Sequence, residues 1–255
     1  MALITNLISY WDMEDASGGI TDIHGSNDGT EGGNPTYGET GIIGDAIDFN
    51  GDGYFELGDT PFDITDQLSI SMWIKPDSFP HNQMPISKSY LAYEILIKGA
   101  SWHAYINGDE MYLPDLDPTT EWQHVVFTYD KDGGDDNKIL YVNGTNIGSE
   151  TQTGTIDLNN SQLTLGRRPG QAGYDYHGLI DEVGIWDRIL SPAEVTELYN
   201  SGAGLAYPFT VGTNMKVNIS DVFKDVDSIQ INIGDVWKDV TSIQQNIGDV
   251  WKTVF

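Results

Sequence analysis

Two sets of residues carry the chemistry in this 255-residue sequence. The first is aromatic and polar together: Trp102, His103, Tyr105 and Tyr112 in one stretch, Tyr174 and Tyr176 in another, with Arg167 and Arg168 just ahead of the second. Flat rings stack on the C–H faces of sugars while hydroxyl, imidazole and guanidinium groups hold sugar hydroxyls. The combination therefore suits carbohydrate binding from loops on a rigid sheet. The same rings at alternate strand positions also suit a hydrophobic core, and the arginines could simply neutralise nearby acid. The second set is a Gly- and Asp-rich loop, 15–33, that holds Asp22, His24, Asn27 and Asp28 within seven positions. Catalytic patterns are missing: there is no Gly-x-Ser-x-Gly elbow, no His-Glu-x-x-His, no phosphate-binding loop and no cysteine, and the five histidines are scattered. The chain reads as a non-enzyme.

Charge narrows the partners. The net charge is −27, and residues 1–208 hold 33 of the acids against 8 bases. Such a surface repels phosphate backbones and anionic lipid, so neither a nucleic acid nor a membrane is expected as a partner. Without cysteine there are no disulfide staples and no thiolate metal sites. The first residues, MALITNLISYW, show no basic leader segment, so no signal peptide is expected.

The elements that must position these residues are short strands. Twenty-nine glycines, seven tryptophans and thirteen tyrosines fit many strands joined by tight turns. Residues 3–11 read as a strand. Leu68, Ile70, Met72 and Ile74 alternate with Ser69, Ser71 and Trp73, a half-buried strand with Trp73 on its other face. Residues 86–112 read as a meander of three strands turning near Lys98-Gly99 and at Asn107-Gly108, and Asn143-Gly144 is a strong hairpin signal. Ile180, Val183, Ile185 and Trp186 suit another strand. Ser191, Pro192 and Glu194 then form a capping box with proline at the first helical position, and Asn200-Ser201-Gly202 supplies a left-handed ending. One helix of about two turns is expected there.

The run from Gly178 to Tyr199, G-x-I-D-E-V-x-I-W-x-R-x-L-S-x-x-E-V-x-x-L-Y, resembles the closing signature of laminin-G-like, concanavalin A-like jelly-roll domains. Other pieces agree in order: Tyr10-Trp11-Asp12-Met13-Glu14, Ala46-Ile47-Asp48-Phe49-Asn50-Gly51, Ser69-Ile70-Ser71-Met72-Trp73-Ile74, Glu121-Trp122-Gln123-His124, Leu140-Tyr141-Val142-Asn143-Gly144 and Leu163-Thr164-Leu165-Gly166. The resemblance covers 3–207. It implies an all-β, two-sheet antiparallel jelly roll over 1–208 with one short helix near its end. It also implies a structural calcium near the rim, held by Asp22 and Asn27 with Asp181, an oxygen set that suits the ion. The alternative is that Asp22 and Asn27 stabilise a turn and Asp181 accepts backbone amides. Glycosidases of this fold carry catalytic carboxylates as E-x-D-x-x-E; that spacing is absent, and Asp12, Glu14 and Asp15 instead match the first-strand motif of non-catalytic members.

Residues 209–255 follow another rule, a fourteen-residue repeat: ISDVFKDVDSIQIN from 219, IGDVWKDVTSIQQN from 233 and IGDVWKTVF from 247. Its Ile and Val positions keep the 3-4 spacing of a coiled coil. Its composition favours strands: from 219 on there is no Ala, Leu, Glu, Met or Arg, and Gly-Asp recurs where a hairpin would turn. The repeat resembles V-x-V-G-x-x-W-K-x-V repeats at the C-termini of bacteriophage fibre and surface proteins. Units this small must stack on something, so a homo-oligomer is expected. Together these readings describe a virion surface protein, a fibre, spike or capsid decoration, that displays a lectin-like domain to cell-surface glycans and attaches to other virion proteins through 209–255. A purely structural virion or assembly protein, and a secreted cell-surface adhesion module, are the alternatives.

Overall fold

The alternating run Leu68, Ile70, Met72 and Ile74 becomes the middle of the larger of two sheets in the structure, a computed structural model. All residues are described except 1–2, 80, 114–116, 172, 210–214, 220–221, 227–229, 234–235, 240–243, 248–249 and 254–255, and from 215 on the description is of backbone alone. Contacts divide the chain into two compact units, Met1–Phe209 and Thr210–Phe255.

Among the described residues the first unit has fifteen strands. They are Leu7–Trp11 (β1), Thr30–Gly32 (β2), Thr36–Thr40 (β3), Asp45–Asp48 (β4), Tyr54–Glu56 (β5), Gln67–Pro76 (β6), Gln83–Ser87 (β7) and Tyr93–Lys98 (β8). There follow Ser101–Ile106 (β9), Asp109–Leu113 (β10), Gln123–Asp130 (β11), Lys138–Val142 (β12), Thr145–Glu150 (β13), Thr164–Leu165 (β14) and Gly178–Trp186 (β15). One helix, Pro192–Tyr199 (α1), closes the unit. An eight-stranded sheet runs β13-β12-β11-β6-β15-β4-β3 with β1 added against β15, and a seven-stranded sheet runs β10-β9-β8-β7-β14-β5-β2. Every described pairing is antiparallel. This is the jelly-roll sandwich that the resemblance implied. The first strand is shorter than expected, because residues 3–6 form a turn in which Asn6 takes φ 56°.

The core lies between the sheets. Ile70, Met72, Val125, Phe127 and Ile180 from one sheet meet Phe55, Tyr93, Ile95, Trp102 and Leu165 from the other, all of them buried. Burial of a side chain such as Phe127 contributes about 2–3 kcal/mol against leaving it in water. Ile180, Val183 and Ile185 do not alternate, yet all three reach this core. A β-bulge between Asp181 and Gly184, with Glu182 at φ 50°, resets the phase of β15 and turns Val183 inward.

A second, smaller cluster covers the opposite face of the larger sheet. There Tyr10, Val126, Tyr141 and Trp186 pack under Val195 and Leu198 of α1 and under Phe209. The Trp186 indole donates to the Leu3 carbonyl at 2.7 Å, and Trp73 stacks on Tyr199 with ring centroids 5.8 Å apart. The capping box forms as its residue types predict. The Glu194 amide donates to Ser191 Oγ at 3.3 Å, the Ser191 amide donates to Glu194 Oε2 at 2.8 Å, and Asn200 ends the helix in the left-handed region. The outer face of the larger sheet is thereby closed, whereas among the described residues no α-helix lies on the outer face of the seven-stranded sheet. Among the described residues no helix is long and apolar enough to cross a membrane.

In the second unit, Met215–Ile219 (β16) pairs with Val222–Val226 (β17), Gln230–Ile233 (β18) with Val236–Asp239 (β19), and Gln244–Ile247 (β20) with Val250–Thr253 (β21). Each hairpin closes from an Ile to a Val across two residues. The repeat is therefore strand, as its β-branched composition favours, and the 3-4 spacing does not produce a helix. The Gly-Asp turns at 234–235 and 248–249 lie outside the described residues.

Replacing Ser191 with Ala should lower unfolding free energy by about 1 kcal/mol in urea denaturation, the usual worth of a helix N-cap. A loss well above ~2 kcal/mol would show that Ser191 does more than cap.

Candidate functional site

Strict alternation in the β8–β10 meander turns one set of side chains inward and the other to the uncovered face. Tyr93, Ile95, Ile97, Trp102, Ala104 and Met111 enter the core. Glu94, Lys98, Ser101, His103, Tyr105, Glu110 and Tyr112 take the other face. Register sets Glu94, Tyr105 and Glu110 opposite one another in one row across three strands, and Leu96, His103 and Tyr112 in the next. The turns that fix this register are Gly99-Ala100 and Asn107-Gly108, all four residues with positive φ.

Two contact groups form on that face. In the first, Tyr112, 51% exposed, stacks on the buried His103 with centroids 4.9 Å apart and planes 25° from parallel. His103 Nδ1 lies 2.8 Å from Glu110 Oε1, and Lys98 Nζ donates to the same oxygen at 3.0 Å. Burial lowers the His103 pKa, against the pull of Glu110, which keeps the ring neutral at pH 7. Burial acts to raise the Glu110 pKa, but hydrogen bonds from Tyr105 and Lys98 outweigh it and hold the carboxyl below its usual range. These side chains line a hollow of about 440 Å³ with Lys98, Gly99 and Ser101.

In the second group the guanidinium of Arg168 grips the fully buried Glu94: Nε donates to Oε2 at 3.1 Å and Nη2 donates to Oε1. Ser87 Oγ donates to Glu94 Oε2 at 2.8 Å. Tyr174 lies over the guanidinium at 4.2 Å, and Tyr90, 43% exposed, flanks it at 5.7 Å. Burial raises the Glu94 pKa, and Arg168 counteracts it. Arg167 sits apart, over the Tyr54 ring at 4.0 Å and paired with Asp175 at 3.1 Å.

Of the expected sugar-binding residues, the structure thus gathers His103, Tyr105, Tyr112, Arg168 and Tyr174 on one face, with Arg167 beside Tyr54. Trp102 and Tyr176 are corrections. Both are fully buried between the sheets, Tyr176 edge-on to Phe49, and neither ring has a face open to a ligand. Strand alternation sends Trp102 inward because its neighbour His103 points out. Glu94, Lys98, Glu110 and Tyr90 also belong to the face, and Glu94 and Lys98 are the polar positions of an alternating strand.

The expected calcium ligands each take part in local hydrogen bonds. Asp22 Oδ1 accepts from the amides of Tyr10, His24 and Gly25 at 2.8–3.1 Å and Oδ2 from that of Asn27 at 3.0 Å, while Asn27 Nδ2 donates to Ser9 Oγ. Asp181 Oδ2 accepts from the amides of Ile42 and Ile43 at 2.8 and 3.2 Å. These are the turn-stabilising roles that stood as the alternative. Among the described residues no three His, Cys, Asp or Glu side chains converge on a metal position. Another hollow, about 480 Å³ and lined by Asp63, Asp66, Asp132 and Asp187, offers carboxylates but no aromatic ring.

Two β-sheets face to face, a helix closing one outer face and an aromatic, ion-paired patch on the other define the class of lectin-like sandwich domains. The family profile Laminin_G_3, described as the concanavalin A-like lectin/glucanases superfamily, matches residues 49–196, and the chain belongs to that family. Among curated proteins it is similar to the Rattus norvegicus "Sushi, von Willebrand factor type A, EGF and pentraxin domain-containing protein 1". The two are 25% identical over 174 residues, 60% of this chain and 5% of that protein, so the chain spans a small part of its relative's length. Among solved structures it is similar to domain 4 of AbnA, an extracellular arabinanase of Geobacillus stearothermophilus, in complex with arabinotriose. That match has TM-score 0.60 and 22% identity, over 75% of this chain and 97% of that one. It is also similar to a botulinum neurotoxin type C structure whose cell entry depends on two ganglioside molecules, with TM-score 0.59 and 17% identity over 78% of this chain and 51% of that one. At these identities the likeness shows the fold alone.

Substituting Arg168 with Ala should cost about 3 kcal/mol or more at pH 7, because it leaves Glu94 buried without its cation. The deficit should shrink as pH falls through the raised Glu94 pKa, because a protonated Glu94 no longer needs the cation. A second prediction concerns the bulge. Burial raises the Asp181 pKa to about 7 despite its backbone hydrogen bonds, and that of Glu182 to about 8 despite the hydrogen bond donated by Tyr10. Their unfolded values are ~3.9 and ~4.3, so the folded state holds the extra protons and stability is lost as pH rises through these raised values. The melting midpoint should fall between pH ~4 and ~8, from the unfolded to the raised folded values, and Asp181→Asn with Glu182→Gln should flatten that fall.

Proposed function

We propose that residues 3–209 form a non-catalytic glycan-binding module, with the outer face of the seven-stranded sheet as its binding surface. The observation that carries this is Tyr112, a half-exposed ring held flat by His103 at the rim of a hollow that also presents Glu110, Lys98 and Ser101. A ring so fixed gives a sugar a preorganised apolar platform, and the charged and hydroxyl groups around it accept and donate to sugar hydroxyls. Tyr174 and Tyr90 over Arg168 offer a second aromatic surface on the same face. The similar structures that carry arabinotriose or act through gangliosides support a saccharide as the ligand class.

The larger setting we infer is the surface of a virion, where a fibre, spike or decoration displays this module to cell-surface glycans. The repeat would attach it to other virion proteins and to copies of itself. Its three hairpins support this reading, because two-stranded units of four or five residues per strand are marginal alone and gain stability by stacking. Weak single-site binding would then be raised by effective concentration rather than by new contacts.

On a glycan array the full chain should bind a subset of saccharides, and Tyr112→Ala should weaken that binding by about tenfold, an ordinary loss for truncating an aromatic contact. The melting midpoint should not change, because the ring is half in solvent. Unaltered binding would remove Tyr112 from the site. Deleting 210–255 should turn an oligomer into a monomer in light scattering; an unchanged mass would refute the assembly role.

A further inference from the structure

Within this glycan-binding reading, the geometry points to a narrower ligand class: uncharged saccharides, with sialylated or sulfated forms rejected. Anionic sugars are ordinarily held by a cation whose charge no resident carboxylate already neutralises. Among the described residues, the cations on and beside the candidate face are Lys88, Lys98, Arg167 and Arg168, and each already has a carboxylate. Lys98 pairs with Glu110 at 3.0 Å, Arg167 with Asp175 at 3.1 Å, and Arg168 with Glu94 through both nitrogens of its fork. Lys88, 1% exposed, is enclosed by Asp59 and Asp63.

An incoming carboxylate or sulfate must therefore share each cation with a resident acid, against like-charge repulsion, or displace that acid. At Arg168 the displaced group would be Glu94, which has no exposure and would lose its cation without reaching water, a strongly unfavourable exchange. At Lys98 it would be Glu110, and His103 behind it is kept neutral by burial and adds no charge. An uncharged sugar meets no such obstacle. It stacks on Tyr112 and donates hydroxyls to Glu110, whose side chain is 35% exposed and keeps lone pairs open. The acidic excess of the whole domain acts in the same direction at a distance, but at physiological salt it is screened beyond ~8 Å. The discrimination is thus set by the local pairs.

The test is an array of neutral oligosaccharides beside the same oligosaccharides capped with sialic acid or sulfate, probed with the full chain at 0.15 M and 0.5 M NaCl. Capping a bound sugar at the end that carries the determinant should weaken binding at least tenfold, and the preference should persist at the higher salt. Glu110→Gln, at an exposed position that leaves the fold intact, frees Lys98 and should improve binding of the capped forms several-fold relative to the neutral ones. Equal or tighter binding of the capped sugars by the unaltered chain overturns the neutral-ligand assignment alone. Loss of the preference at 0.5 M salt also overturns the local mechanism, since only the long-range field is screened. Failure to bind any saccharide overturns the glycan-binding reading itself, and this assignment with it.

Discussion

Strand β15 has to serve two hydrophobic cores from a single stretch of chain, and the bulge at Asp181–Gly184 is what lets it do so. Before the bulge Ile180 faces the sandwich interior; after it Val183 and Ile185 do the same, and Trp186 turns out to anchor the layer beneath α1. Because β15 pairs with β6, β4 and β1, the phase it adopts governs how these three neighbouring strands meet. The cost is a pair of acids, Asp181 and Glu182, held almost without exposure at the irregular point. Tyr10 and the amides of Ile42 and Ile43 solvate them in place of water.

The closing of one outer face decides where recognition can occur. With α1, Tyr207 and Phe209 laid over the larger sheet, the seven-stranded sheet keeps the only broad outer surface of the described sandwich not packed under a helix. Its decoration differs in kind from the closed side. The closed side is apolar with a few enclosed polar groups such as His124, bonded to Ser71 at 2.8 Å. The open side is built from rings braced by ion pairs, so its rigidity comes from electrostatics and stacking rather than from a further apolar layer.

How much of this was legible depended on the range of the interaction. The strands of 67–76 and 123–130, the Asn-Gly hairpins and the capped helix are specified by neighbours two to four residues apart, and their residue types name them. The phase of a strand relative to the core is not local. Trp102 and Tyr105 look equally suited to a sugar in the sequence, and only the pairing of β9 with both β8 and β10 sends one inward and the other out. Glu94 and Arg168 stand 74 positions apart, so nothing in either neighbourhood announces the pair. The resemblance points to Asp22 as a metal ligand, whereas the amides that bond its oxygens belong to every residue alike and leave no compositional trace.

The distribution of ammonium groups has a practical reach. Lys138 is fully buried against Asp109 and Glu150, and Lys88 is nearly so, whereas Lys131 is 23% and Lys98 44% exposed. Acylating reagents need a free, solvated amine, so in the sandwich they are steered away from the enclosed pair and toward Lys98. Dyes, biotin or sensor surfaces coupled through amines would thus settle beside Tyr112, at the mouth of the hollow whose contents they were meant to report.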